Sequence, residues 1–393
     1  MSNTPEYDFI IVGGGISGLA TALALAQVGR TSLVLEKSSE PQFIGAGIQL
    51  GPNALRAIEL LGVREELSPY LNFPDEIRLN DGLTGKNLAA IPLKGQFESR
   101  YRYPYSVAHR GDLLRVLLRG CQRSPLIELV SGAEDVTLDD SKQRVKVNWP
   151  GNNHAVAKIL IGADGLWSGI RKHVLDDGKP KFSGYVAFRA LIDPTAAPEW
   201  LTQNTSTNWM APGAHLVHYP VCNGDKINIV AVCHGESQKS GWDNAPDLNL
   251  LHDGFKNFFD PIKSFVRHET SWRSWPLFDR KPVVKMVEGS VALIGDAAHP
   301  MLPYFAQGAA MALEDAIVLS QAAADNGDSM RLALTAYQES RAHRVAAVQK
   351  HSSKLGEIYH AKGLVRVGRN LVLRTKSEKE LLNSLDWIYA KSL

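Results

Sequence analysis

Apolar and polar positions change period along this chain. Asp8 to Val12 (DFIIV) is a short β-branched run followed by Gly13-Gly14-Gly15-Ile16-Ser17-Gly18. Apolar residues then recur at helical spacing from Leu19 to Gln27, where Gly29 stops them, and a second apolar run, Ser32 to Leu35, ends at Glu36. The pattern predicts strand, glycine turn, helix, strand and acid. Two later segments repeat its first half. Ala157 to Gly162 is a buried-strand run that enters Gly162-Ala163-Asp164-Gly165, and Gly289 to Ile294 is another that ends in Gly295-Asp296. A Pro-rich loop follows, and Gln307-Gly308 opens a helix over Ala309 to Ala324. Phe182 to Leu191, His215 to Val221 and Lys226 to Cys233 read as strands. From about Leu332 the spacing is helical again and predicts a capping helix pair, with a dimer contact open there.

The glycine segment carries a mechanism. Gly13 permits a tight turn, Gly15 lets backbone approach a pyrophosphate, and Gly18 lets helix and strand pack closely. The helix N-terminus directs N–H groups and positive dipole at phosphate oxygens. Glu36 stands at the distance expected for an acid that accepts a ribose hydroxyl. An ordinary glycine turn is the alternative, and the motif alone does not separate FAD from NAD. Three strand ends closed by glycine, each with a nearby acid, would line one crevice. Asp296 there suits the ribityl hydroxyls of a flavin, and the helix opening near Gly308 would turn its dipole toward the ring.

Composition narrows the field further. The chain has 393 residues, 44% of them hydrophobic, with a formal net charge of +2, which argues against a nucleic-acid binder. Cys121, Cys222 and Cys233 form no CxxC pair, so neither a disulfide framework, a redox pair nor a zinc site is expected. No metal site is predicted. The polar Met1 to Tyr7 lacks a signal-peptide pattern, and no apolar run reaches the ~20 residues of a membrane span. The expectation is a cytoplasmic protein, monomeric or homodimeric.

The glycine loop with Glu36, then GADGLWSGIR, GDAAHP and AQGAAMALEDA, resembles the single-component FAD-dependent aromatic hydroxylases, whose type member is para-hydroxybenzoate hydroxylase. Gly45 to Asn53 (GAGIQLGPN) and His109-Arg110-Gly111-Asp112-Leu113-Leu114 are similar to the subgroup of salicylate hydroxylase, 3-hydroxybenzoate 6-hydroxylase and 6-hydroxynicotinate 3-monooxygenase. The resemblance covers about Asp8 to Gln349. It implies an α/β chain: a Rossmann-like FAD-binding domain over 1–72, 100–180 and 275–345, a mixed β-sheet substrate domain over 73–99 and 181–274, and a C-terminal helical segment over 346–393.

The resemblance also implies roles. Gly13, Gly14, Gly15, Ile16, Ser17, Gly18, Glu36 and Lys37 would hold the dinucleotide. Arg110 would contact the ribityl-pyrophosphate region, or else be a salt-bridging residue at a helix start. Asp164 would serve FAD and NAD(P)H, with helix capping as an alternative or additional role. Arg171 could brace its loop. Asp296 would bind the ribityl chain, and Pro300, Gln307, Gly308 and Ala309 would lie beside the ring. Gln49 would face ring or substrate in a segment that no strand precedes. Alternation puts His215, Val217 and Tyr219 on one face of their strand. His215 is nominated to accept the proton of a substrate hydroxyl, with Tyr219 bonding the same group; a satisfied core histidine and a packing tyrosine are the alternative. Tyr304 and Pro303 would border the substrate, and Pro303 replaces a polar group found in the 3-hydroxybenzoate enzyme. His299 reads as structural.

The implied reaction joins NADH or NADPH, dioxygen and a small hydroxylated aromatic acid through a flavin hydroperoxide. A flavin oxidoreductase of the same fold that does not hydroxylate, and a non-catalytic dinucleotide-binding protein, remain as alternatives.

Overall fold

A computed structural model describes residues 5–40, 47–141, 144–236 and 244–390 of the chain. Its first sheet has eight strands, with the order Val287–Glu288, Val291–Leu293, Asn153–Gly162, Glu6–Val12, Ser32–Glu36 and Ile127–Ser131 along its main path. The four junctions from Val291–Leu293 to Ile127–Ser131 are parallel. Such strands are covered on both faces and need continuous apolar runs, which is why Phe9, Ile10 and Ile11 are all fully buried. The antiparallel strands Arg144–Trp149 and Thr137–Ser141 extend this sheet beside the outer half of Asn153–Gly162.

Helix Ile16–Gln27 connects the first two parallel strands and packs against helix Gly308–Asp325. The close approach follows from composition: Ala20, Ala22, Ala24, Ala310, Ala312 and Ala316 are buried there. The 30-residue helix Met330–Tyr359 packs on Gly308–Asp325 in turn.

The second sheet has seven strands in the order Arg273–Asp279, Lys181–Ile192, Lys226–His234, Ala214–Val221, Thr205–Ala211, Glu76–Asp81 and Asn87–Pro92. One junction, Thr205–Ala211 with Glu76–Asp81, is parallel and the rest are antiparallel. Its outer face carries a core of its own, in which Phe255, Ile262 and Trp272 cover Phe188, Leu216 and Ile229.

A strand Gly47–Leu50, paired with Ser106–His109, lies within the segment that no strand was expected to precede, and Pro52 begins helix Pro52–Leu60. Proline suits the first helical position, where its missing N–H is not needed. Gly45 lies outside the described residues. No helix among the described residues is long and apolar enough to cross a membrane.

Candidate active site

Val12, Gly162 and Leu293 stand side by side in register at the carboxyl edge of the parallel strands, so the three loops that follow them are neighbours. Contacts prove the closeness. Gly13 has φ +111°, and a Cβ on it would sit 2.3 Å from the Ala163 carbonyl oxygen. A Cβ on Gly295 (φ +58°) would meet Ser17 Oγ at 2.7 Å, and one on Gly18 would strike the Gly13 carbonyl at 1.9 Å. Gly15 differs: a Cβ there meets nothing within 4 Å. The turn is therefore locked from behind and open in front. Helix Ile16–Gln27 starts at this open side with no side-chain cap, so its N-terminal field is available to an anion. The Glu36 carboxylate accepts the Gly14 N–H at 2.7 Å and the Ser38 N–H at 2.9 Å, which ties the second strand to the turn. Lys37 is exposed.

Asp164 accepts hydrogen bonds from Ser168 Oγ at 2.5 Å, Gly169 N–H at 2.8 Å and Ile170 N–H at 3.2 Å. It thus shapes its own loop and the start of helix Ile170–Leu175, while burial raises its pKa. The Arg171 guanidinium is almost fully buried and donates to the carbonyls of Ala297 and Ala298 at 2.9 and 2.5 Å, stapling the second loop to the third. Arg110 and Asp296 combine two properties that rarely coincide. Both residues are solvent-exposed, yet desolvation by the surrounding protein lowers the pKa of Arg110 and raises that of Asp296. Exposure together with dense surroundings is the signature of a deep, open crevice. Each charge partly offsets the other's shift, so the two groups share it. An open glycine turn, an uncapped helix start, a reachable carboxylate and a reachable guanidinium fit FAD.

Pro300 and Gln307 are buried, and Gly308 and Ala309 begin a second helix without a side-chain cap. Beneath them runs a charged network. His299 Nε2 lies 2.5 Å from Asp315 Oδ2, and Arg341 bonds Asp315 at 2.6 Å and Glu314 at 2.5 Å. Arg344 adds two bonds to Glu314, at 2.7 and 2.8 Å. Asn53 donates to Gln307 at 2.9 Å and to Glu314 at 2.8 Å. Burial alone would raise the Asp315 pKa, but His299 and Arg341 outweigh it and hold the carboxyl at about 2. His299 thus joins this network through Asp315.

The inner face of the seven-stranded sheet closes the other side. Register places Ser206, Asn208 and Met210 on the face of His215, Val217 and Tyr219, with Asn228 opposite Tyr219. His215 is buried among Tyr304, Tyr359 and His360, with ring centroids 5.5, 5.6 and 5.0 Å away. Its Nδ1 lies 2.8 Å from Nε2 of His360. Tyr219 has other company: it packs by Gly47 and Asn228 and bonds the amide of Gln49, whose Oε1 accepts the Tyr105 hydroxyl. The expectation that His215 and Tyr219 bond one hydroxyl is therefore corrected. A strand rises ~3.4 Å per residue, which separates their Cα atoms by about 14 Å, and the two side chains sit in different surroundings. Burial lowers the His215 pKa well below its ordinary value, with His360 adding to the shift, and raises that of Tyr304. The Tyr304 hydroxyl, Asn208 Oδ1 and Asn228 Nδ2 are buried with no protein partner. Pro303, by contrast, is exposed.

The family described as FAD binding domain matches residues 6–352. The chain is 36% identical over 385 residues to 3-hydroxybenzoate 6-hydroxylase 1 of Aquipseudomonas alcaligenes, covering 98% of each. The chain belongs to the FAD-dependent aromatic-ring hydroxylases. It is also 37% identical over 381 residues to the 3-hydroxybenzoate 6-hydroxylase of Klebsiella oxytoca, covering 97% and 96%. Among solved structures, a salicylate hydroxylase substrate complex matches with a TM-score of 0.81 at 26% identity, over 100% of this chain and 97% of that one. Klebsiella pneumoniae HpxO, complexed with FAD and uric acid, shares the fold with a TM-score of 0.85 at 23% identity, over 98% and 96% of the chains. FAD is the cofactor of this hydroxylase.

Several site-forming residues of the hydroxylase escape sequence reasoning. Tyr105, Ser206, Asn208, Tyr359 and His360 join the inner-face cluster, and Asn53, Glu314, Asp315 and Arg341 form the charged network. Glu314 and Asp315 lay within the AQGAAMALEDA motif, but their partner Arg341 had no local signal. Strand Thr205–Ala211, which the sequence reading did not single out, is buried over all seven residues although it opens with Thr-Ser-Thr-Asn.

Proposed function

We propose that this enzyme adds one oxygen atom to a small hydroxylated aromatic acid, with 3-hydroxybenzoate the first substrate to test. NAD(P)H and dioxygen are the co-substrates. The observation that carries this reading is the buried, uncharged inner-face cluster, whose polar atoms outnumber their protein partners. An unpaired buried polar atom costs ~1–3 kcal/mol, a cost that a ligand hydroxyl or carboxylate can offset. The names of the near full-length relatives support the substrate class.

The backbone from Gly13 to Gly18, with Ile16 and Ser17 in the first helical turn, holds the pyrophosphate. Glu36 takes the ribose, and Lys37 stands at its rim. Asp296 takes the ribityl hydroxyls, while Arg110 and Asp164 lie along the same crevice. Pro300, Gln307, Gly308 and Ala309 border the ring. FAD, once bound, would supply the hydride acceptance from NAD(P)H and the activation of dioxygen. The chain's own residues bind, orient and deprotonate the acceptor. His215, kept neutral by burial, accepts the proton of the aromatic hydroxyl and so makes the ring electron-rich. Tyr219 and Tyr304, both held protonated by burial, remain hydrogen-bond donors. Enclosure by Tyr304, Tyr359 and Tyr105 keeps water out.

Salicylate, 3-hydroxybenzoate and 6-hydroxynicotinate are each to be offered with NADH under air, following NADH, oxygen and product mass. One of them is expected to speed NADH oxidation and yield a product heavier by one oxygen. Faster NADH oxidation with peroxide as the sole oxygen product from all three would overturn the reading.

A further inference from the structure

His360 is the C-cap of the 30-residue helix Met330–Tyr359 and lies 145 positions from the histidine it touches. Three contacts fix it. Its carbonyl accepts the Gly213 N–H at 3.2 Å, tying it to the turn before His215. Arg369 clamps the helix end through the carbonyls of Ile358 and Tyr359, at 2.9 and 2.8 Å. Tyr185 stacks on its ring, with centroids 4.5 Å apart and planes at 22°. Tyr185 also meets His234, which is exposed, edge to face at 5.7 Å between centroids. The series His215, His360, Tyr185 and His234 thus runs from the inner-face cluster to the surface.

The 2.8 Å contact between two ring nitrogens needs one proton between them. Neutral imidazole donates through one nitrogen and accepts through the other. With His215 Nδ1–H donating to His360 Nε2, the lone pair of His215 is left on Nε2, the atom available to the cluster. A carboxylate in place of His360 would also set that tautomer, but it would make the buried pair charged. Histidine sets it without charge and can pass a proton onward.

We propose that His360 is the proton outlet of the substrate pocket, setting the tautomer of His215 and carrying away the proton that His215 takes from the substrate. The inference rests on the reading of His215 as the proton acceptor. The step balances without a redox partner. The substrate O–H bond breaks and its proton goes to His215 Nε2; the Nδ1 proton of His215 moves to His360 Nε2; the Nδ1 proton of His360 leaves to water. One proton is released for each phenolate formed. His360 touches His215 and not the reacting atoms, so it is a positioning and relay residue. The groups facing the pair are Tyr304 and Tyr359 beside His215, and Tyr185, Tyr304, Arg369 and His234 around His360. Arg369 and His234 oppose a lasting positive charge on His360, which favours transit over storage. The negative end of the helix dipole favours its brief formation.

The test compares His360→Gln, His360→Ala and His215→Asn holoenzymes with 3-hydroxybenzoate as probe. His360→Gln keeps a side-chain acceptor for His215 Nδ1–H but cannot relay. It is expected to retain FAD and melting temperature, leave KM within about threefold and lower kcat by at least ~10-fold, less than loss of the acceptor itself, for which ~10²-fold is typical. Its solvent deuterium isotope effect on kcat should rise, and the proton release seen with a pH-indicator dye on substrate binding should slow. Added imidazole should restore part of kcat to His360→Ala, where there is room for it. Wild-type kcat and dye kinetics in His360→Gln would overturn the outlet, as would a slow variant that has lost FAD or thermal stability in proportion. If His215→Asn is slow while His360→Gln is not, only the outlet falls. If His215→Asn is itself as fast as wild type, the proton-acceptor reading falls first.

Discussion

Two buried polar clusters flank the loop between Asp296 and helix Gly308–Asp325, and they are built on opposite terms. In one, the carboxylates of Glu314 and Asp315 meet the guanidinium groups of Arg341 and Arg344, and the buried atoms of the network left without a partner are Asn53 Oδ1 and His299 Nδ1. In the other, His215, His360, Tyr304, Tyr359 and Asn208 carry no permanent charge. Buried ions each cost several kcal/mol unless paired, so the first cluster is stable only when complete and behaves as framework. Neutral groups tolerate incompleteness at a lower cost, and the second cluster keeps polar atoms that a ligand can satisfy. Depth does not distinguish framework from site here, since both clusters are buried; charge and pairing do.

Breaking the charged cluster should have the largest effect. Arg341→Met leaves two carboxylates facing one remaining guanidinium, and a loss of about 3–5 kcal/mol is expected. Thermal unfolding would show a fall of roughly 10 °C, with flavin lost from the purified protein. A variant that melts within a degree or two of the wild type would show that the network is not framework. His215→Asn tests the other side. Hydroxylation should fall by about 10²-fold while flavin content and melting temperature hold. A matching loss of flavin would remove His215 from the substrate site and make the two clusters alike.

Acid should separate the clusters by pH. Burial, with Arg369 and His234, lowers the His360 pKa from 6.5 to about 4. Between those values the unfolded chain binds a proton that the folded chain does not. This contribution is therefore intact above pH 6.5 and declines as pH falls toward 4, by about 3 kcal/mol. The Asp315 carboxyl, held at about 2 against an ordinary 3.8, starts to lose its contribution only below pH 4. Urea unfolding measured from pH 7 to 3 should show a steeper first slope in the wild type than in His360→Gln, where the buried His215 and His218, whose pKa values burial also lowers, keep part of it. Equal slopes in both would assign the effect to other groups.

The smallest effect sharpens the point most. Tyr337 donates to the Leu293 carbonyl at 3.0 Å, whereas the Tyr304 hydroxyl has no protein partner. Tyr337→Phe should cost about 1 kcal/mol, and Tyr304→Phe less than ~0.5 kcal/mol, although the latter should raise KM for the aromatic acid. If Tyr304→Phe destabilises the chain as much as Tyr337→Phe, its hydroxyl already has a structural partner and is not reserved for substrate.

Sequence alone carried the local part of this protein. The turn at Gly13 to Gly18, the strand-to-Gly-Asp ends at Asp164 and Asp296, and the helix opening at Gly308 were legible because each obeys rules that act within a few residues. Backbone sterics, the period of apolar positions and the field at a helix start are such rules. The strand Gly47–Leu50 was not legible, since four residues give no period and its pairing with Ser106–His109 is remote. Burial of Thr205 to Asn208 was equally hidden, because a polar strand is dry only where something covers it. What tertiary structure decided was which polar groups meet. Asn53 reaches Gln307 across 254 positions, and His215 reaches His360 across 145. No local rule constrains such spacings, and the protonation of each group depends on the burial and the neighbours that only folding supplies.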